Sequence, residues 1–161
     1  KPRSESSETS LWAIWATSIT CWSAVTDFSR VKESFQRQRV MHTLGMELLD
    51  VKAGECIIGF SYREDLTQQN GFIHAGVIAT ALDSACGYAA FSMMPEDADV
   101  LSIEFKTNLM RPAKGDRFEA RARVVKPGRT VFFTEASLFA ISDDEKRLVA
   151  SMAGTMMAVQ R

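Results

Sequence analysis

The chain has 161 residues, 46% of them apolar and 24% charged, the composition of one soluble globular domain with room for a short extension. Nineteen basic and twenty acidic side chains leave a net charge of −1, so the basic excess of a nucleic-acid binder is absent. Three widely spaced cysteines (Cys21, Cys56, Cys86) and two histidines (His42, His74) exclude a disulfide scaffold, a zinc cluster and a multi-histidine metal centre. A reducing, cytoplasmic setting is expected, with neither metal nor cofactor.

Residues 1–26 differ from the rest. KPRSESSETS has the composition of a solvated tail, and LWAIWATSITCWSAV carries all three tryptophans. That uncharged run is shorter than the roughly 20 residues a bilayer requires. Glu5, Glu8 and Trp22 are wrong for a signal peptide. Trp12, Trp15, Ile19 and Trp22 share one helical face, as in a short docking helix. Residues 1–26 are therefore expected to be a non-catalytic extension on a domain spanning 27–161.

From Asp27 the pattern becomes regular. DFSRVKESFQRQRVMHTLG predicts one amphipathic helix, with Phe28, Val31, Phe35 and His42 on its stripe, Asp27 as N-cap and Gly45 beyond its end. ECIIGFSY alternates as a strand with Cys56, Ile58, Phe60 and Tyr62 on one side. Residues 75–94, AGVIATALDSACGYAAFSMM, place small residues around the whole wheel, which predicts a helix enclosed by protein.

Four strand-like runs follow. Leu101, Ile103, Phe105 and Leu109 alternate with Ser102, Glu104, Lys106 and Asn108; Phe118, Ala120, Ala122 and Val124 alternate with charged neighbours. Pro127-Gly128 has the order of a type II turn, leading into TVFFTEASLFAI, and SDDEK precedes LVASMAGTMMAV. Consecutive strands on short turns predict an antiparallel meander. One buried helix with five strands is an α+β domain whose sheet wraps the helix.

Asp83 is the one charged side chain between Ala75 and Met94. An unpaired carboxylate in apolar surroundings is costly, so Asp83 has either a structural partner or a chemical task. The same helix begins at QQNGFIHAG, where several N–H groups lack an intrahelical acceptor, a geometry suited to an oxyanion. His74 there is either a cap or a participant. His74 and Asp83 are nine residues apart, so they point to opposite sides of the helix about 13 Å apart along its axis. If both serve one substrate, a second, antiparallel copy must supply one of them, as a two-fold homodimer does.

At these residues the chain resembles the PaaI-type hotdog-fold acyl-CoA thioesterases. The likeness runs through Gln68-x-x-Gly71-x-x-His74-Ala75-Gly76, Asp83 and Gly87. It continues at Ser102, at Asn108-Leu109-Met110-Arg111-Pro112-Ala113 and at Val125-Lys126-Pro127-Gly128-Arg129-Thr130. It covers roughly residues 28–160 and implies a hotdog fold, an antiparallel sheet of five to six strands around one long central helix.

The resemblance also implies roles. Asp83 would be the catalytic nucleophile or general base, and the backbone N–H of Ala75, next to Gly76, would polarise the thioester carbonyl. Gln68, from the opposite subunit to Asp83, would hold the thioester or the water, His74 would orient the loop, and Ser102 would position water. Ala75 replaces the Gly that directly follows His in the family's His-Gly-Gly, which keeps the N–H but calls for near-helical geometry there. Arg111, Lys126 and Arg129 are candidates for the CoA phosphates. The implied assembly is a homodimer, or a homotetramer built as a dimer of dimers, with no nucleic acid and no membrane span.

The implied reaction is hydrolysis of an acyl-CoA thioester to a free acid and CoA. Two alternatives stay open at this level: a hotdog hydratase acting on enoyl or hydroxyacyl thioesters, and a non-catalytic acyl-CoA binding module. Phe91, Tyr88, Met93 and Met94 fit either an acyl pocket or plain core, and aryl, short-chain and medium-chain acyl groups all remain open.

Overall fold

The computed structural model describes residues 27–143 and 145–160. The extension and its expected docking helix lie outside the described residues. The chain runs α1 (Ser29–Arg37), α2 (Arg39–Leu44), β1 (Met46–Lys52), β2 (Glu55–Ser61), a 3-10 turn (Glu64–Leu66), α3 (Ala75–Phe91), β3 (Ala98–Leu109), β4 (Arg117–Lys126), β5 (Val131–Ser142) and β6 (Glu145–Gln160). All strand pairs are antiparallel, in one six-stranded sheet of order β1-β2-β4-β5-β6-β3.

The sheet wraps α3, which packs against β2, β3, β4, β5 and β6. Small side chains allow this enclosure: Ala81, Leu82, Ala85, Cys86, Ala89 and Ala90 are fully buried, so the sheet approaches the helix from several sides. Phe118, Phe132, Leu138, Ile58 and Met156 fill the space between, and Phe60 stacks on Phe118 with ring centroids 5.0 Å apart. This is the expected α+β hotdog architecture, with six strands.

The first helix departs from its pattern. Residues 27–45 form two helices broken at Gln38, whose backbone is extended (φ −79°, ψ 95°). The break changes which residues face inward: Met41 is buried, whereas His42, assigned to the apolar stripe, is exposed. The N-cap is Phe28 and not Asp27, which stands one residue earlier and accepts a hydrogen bond from Ser29 N–H (2.8 Å); Gly45 ends α2 at φ 65°, a conformation that favours glycine. Tyr62 also departs, lying past the end of β2 and 40% exposed.

The meander holds only for β4, β5 and β6. β3 pairs with β6 at the far edge of the sheet, while β4 inserts between β2 and β5. At the β4–β5 connection Gly128 is not left-handed, so the type II turn is not formed. Glycine is needed there for closeness instead, because a Cβ at residue 128 would sit 2.3 Å from the Val131 carbonyl oxygen. In β3, Ser102 pairs with Met156 and Glu104 with Thr155, leaving Ile103 as a one-residue bulge. The bulge breaks strict alternation, and Ser102 turns toward α3.

Candidate active site in two halves

The first half is the start of α3. His74 is its N-cap (φ −62°, ψ 139°), and its Nδ1 accepts from Gly76 N–H at 2.9 Å. The His74 N–H donates to the Leu66 carbonyl (2.9 Å) and the Ile73 N–H to the Ala113 carbonyl (3.1 Å), which ties the helix start to neighbouring loops. The preceding turn is closed by Gln68 N–H to Phe72 O and Gly71 N–H to Gln68 O, both 2.9 Å, while Gln68 Oε1 accepts from Asn70 N–H.

Ala75 is the first helical residue and has no positive φ, the geometry required for alanine in place of glycine. Its N–H has no acceptor among the described residues, whereas the Gly76 N–H is already engaged by His74. The capping imidazole therefore leaves one exposed amide, that of Ala75, at the positive end of the helix dipole. Gln68, Ala75, Leu109, Met110 and Arg111 border a cavity of about 380 Å³ here.

The second half lies two turns along. Asp83 is half-buried, and its Oδ1 accepts from Ser102 Oγ at 2.7 Å; that hydroxyl also lies 3.4 Å from Met156 Sδ. The bulge at Ile103 is what turns the hydroxyl to the carboxylate. A separate cavity of about 430 Å³ opens on Asp83 and Ser102, and Gly87, Tyr88, Gln38 and Ser34 also line it. Burial pushes the Cys86 thiol up to about 12, with the Asp83 charge adding to the shift, and burial raises Cys56 as well. Neither thiol is a nucleophile at neutral pH.

Asp83 and Ala75 thus open into different cavities, about 12 Å apart along the helix axis. The cations divide similarly. Arg111 Nη1 donates to the Leu148 carbonyl (2.9 Å), beside the helix start. Lys126 and Arg129 lie at the β4–β5 turn, where Ala158 N–H donates to Thr130 O (2.8 Å) near the other end of β3. Twelve residues of β3 separate these groups by roughly 35 Å, so the three cations do not converge within one chain. Lys114 and Arg147, absent from the sequence reading, join Arg111 around a cavity of about 630 Å³. Exposed cations on a hairpin carry no pattern that a single sequence reveals.

Comparison with known proteins decides the family. A thioesterase superfamily model matches residues 70–146, which include both halves of the site. A thioesterase family protein from Silicibacter pomeroyi is 50% identical, covers 81% of this chain and 96% of its own, and superposes with a TM-score of 0.80. The chain belongs to the thioesterase superfamily. A mutant of the phenylacetic acid degradation protein PaaI from Thermus thermophilus is 26% identical, with 74% of this chain and 98% of that one covered and a TM-score of 0.65. The 1,4-dihydroxy-2-naphthoyl-CoA hydrolase of Listeria monocytogenes is 22% identical over 110 residues, 68% of this chain and 87% of its own. This is a PaaI-type hotdog thioesterase, and its class of chemistry is thioester hydrolysis. Among the described residues, no helix of the thioesterase is long and apolar enough to cross a membrane.

Proposed function

We propose that this thioesterase hydrolyses acyl-CoA at a site completed by two protomers. The observation that carries the proposal is the separation of Asp83 from the Ala75 N–H. Each cavity holds one half of the equipment that thioester hydrolysis needs.

The surface of β3 supports the pairing. Leu101, Ile103, Phe105 and Leu109 are between 46% and 56% exposed, on an edge strand of 12 residues. A long apolar edge with unpaired backbone groups calls for a partner. Antiparallel pairing about a two-fold axis between Phe105 and Lys106 sets Ser102 against the partner's Leu109. Leu109 borders the Ala75 cavity and Ser102 borders the Asp83 cavity, so this pairing brings the two half-sites together twice per dimer.

In that site the Ala75 N–H of one chain donates to the thioester oxygen, beside Gln68 of the same chain. Asp83 of the other chain, held by Ser102, takes a proton from water as it adds to the carbonyl carbon, or adds there itself. Collapse of the tetrahedral oxyanion breaks the C–S bond and expels the thiolate, which leaves as thiol once protonated. If Asp83 adds directly, water then cleaves the resulting anhydride, and both routes yield acid and thiol. His74 holds the loop through Gly76 and is not the base.

CoA as carrier is supported by Arg111, which borders both the helix-start cavity and the adjoining one that holds Lys114 and the Glu145-paired Arg147, and by the CoA thioester named for the Listeria relative. The unit that performs this chemistry spans 27–161, with residues 1–26 appended, in a reducing cytoplasm. Asp83→Asn is the direct test: thiol release from acyl-CoA falls at least a hundredfold while the protein stays folded. Turnover within threefold of the parent contradicts the role of Asp83.

A further inference from the structure

The cavity at Asp83 continues away from the reacting carboxylate toward the break between α1 and α2. Gly87, one turn beyond Asp83 on the same face of α3, has nothing within 4 Å of where a Cβ would stand, so the floor of the cavity is open there. Tyr88 follows, 6% exposed, with its ring 5.6 Å from that of Phe35. Its hydroxyl donates to Gln38 Oε1 at 3.1 Å.

Gln38 is the extended residue at which the helix is interrupted. With its oxygen occupied by Tyr88, its amide orientation is set, and its Nε2 has no acceptor among the described residues. Arg37 also lines the cavity, and it forms no ion pair with a described carboxylate. The far end of the cavity therefore presents two hydrogen-bond donors. The rise from Asp83 to Tyr88 is about 7.5 Å, the span of a chain of roughly five or six carbons with bonds of about 1.5 Å.

Resting on the thioesterase reading above, we infer that Gln38 and Arg37 select acyl groups whose far end carries an oxygen acceptor. The break in the first helix is the device that turns both residues to the cavity. Gln38 is half-buried and Arg37 exposed, so a plain alkyl end shields the Gln38 amide without giving it a partner, and sites built to bind an oxygen reject the analogue that lacks it. The shared chemistry is an oxygen at the chain end, as hydroxyl or carboxylate. Asp99 also borders the cavity and sets a charge against the carboxylate arm.

The test measures kcat/KM for hexanoyl-CoA, 6-hydroxyhexanoyl-CoA and adipoyl-CoA. At least one oxygen-ended substrate should exceed hexanoyl-CoA by about tenfold; the hydroxyl arm leads if Asp99 dominates and the carboxylate arm if Arg37 does. Gln38→Glu keeps the acceptor for Tyr88 while replacing the free donor with an oxygen, and Arg37→Leu removes the cation. Both should bring the ratio of the leading substrate to hexanoyl-CoA toward one. A purely structural role would lower all three substrates alike and keep the ratio, which overturns the inference. Equal hydrolysis of all three by the parent also overturns it, with thioester hydrolysis intact. No thiol release from any of the three, with Asp83→Asn equally inert, overturns both.

Discussion

Asp83 and Ala75 stand on one helix eight residues apart, and they open into separate cavities with no path through the packed side of α3. A helix cannot bend two turns of itself around one carbonyl group. On the proposed reading the chemistry is assembled between chains, with the exposed apolar edge of β3 receiving the second chain.

The Ala75 amide is open to a substitution that removes it with little disturbance. Ala75 is the first helical residue, a position where proline is favoured, and His74 already has the extended backbone that must precede a proline (φ −62°, ψ 139°). Ala75→Pro should keep its melting temperature within a few degrees and lose about 10²–10³ in kcat, since the oxyanion donor is gone. Calorimetry with a thiol-release assay reads both quantities; an active Ala75→Pro would move the oxyanion site elsewhere.

Ser102 orients the carboxylate through one hydrogen bond of 2.7 Å. Hydrogen bonds to charged groups contribute about 1.5–3 kcal/mol, so Ser102→Ala should reduce kcat by roughly ten- to a hundredfold. Ser102→Thr keeps the hydroxyl and should retain more activity than Ser102→Ala, a ranking that steady-state kinetics checks.

Phe105 lies beside the proposed two-fold axis and is 46% exposed in the protomer. Phe105→Glu would bring two carboxylates together at the axis, where like charges destabilise pairing. The variant should elute as a monomer with unchanged far-ultraviolet circular dichroism and negligible activity. A fully active monomer would refute the shared site.

Arg30 joins α1 to the end of α3. Its guanidinium donates to the carbonyls of Phe91 (3.0 Å), Met94 (2.8 Å) and Pro95 and sits 4.2 Å over the Phe91 ring. Arg30→Ala leaves part-buried carbonyls without donors and should destabilise the protein by about 2–3 kcal/mol in urea unfolding. A loss below about 0.5 kcal/mol would show that water replaces the guanidinium.

Much of this was legible in residues alone, for identifiable reasons. Helix α3 announced itself because an enclosed helix must be apolar all round, and Asp83 stood out as its one charge. The His74–Asp83 spacing already called for a second copy on the condition that both serve one substrate. What escaped notice depended on single residues with no compositional mark. The bulge at Ile103 reverses the facing of Ser102, and the break at Gln38 exposes His42 and buries Met41. Strand order escaped as well, because short turns suggest neighbours while β3 crosses to the far edge. That Arg111 stands at one end of β3 and Lys126 and Arg129 near the other end within one chain was also not legible, because opposite ends of a long strand look close in a sequence of turns.

Subunit mixing tests the shared site most directly. Asp83→Asn and Ala75→Pro each remove one half, so either homodimer should be inactive. Random exchange makes half the dimers mixed, and each mixed dimer pairs an intact Asp83 with an intact Ala75 amide at one of its two sites. Mixing equal amounts should therefore restore about a quarter of parental thiol release. If exchange is confirmed by mass and no activity returns, both groups act within a single chain and the account is wrong.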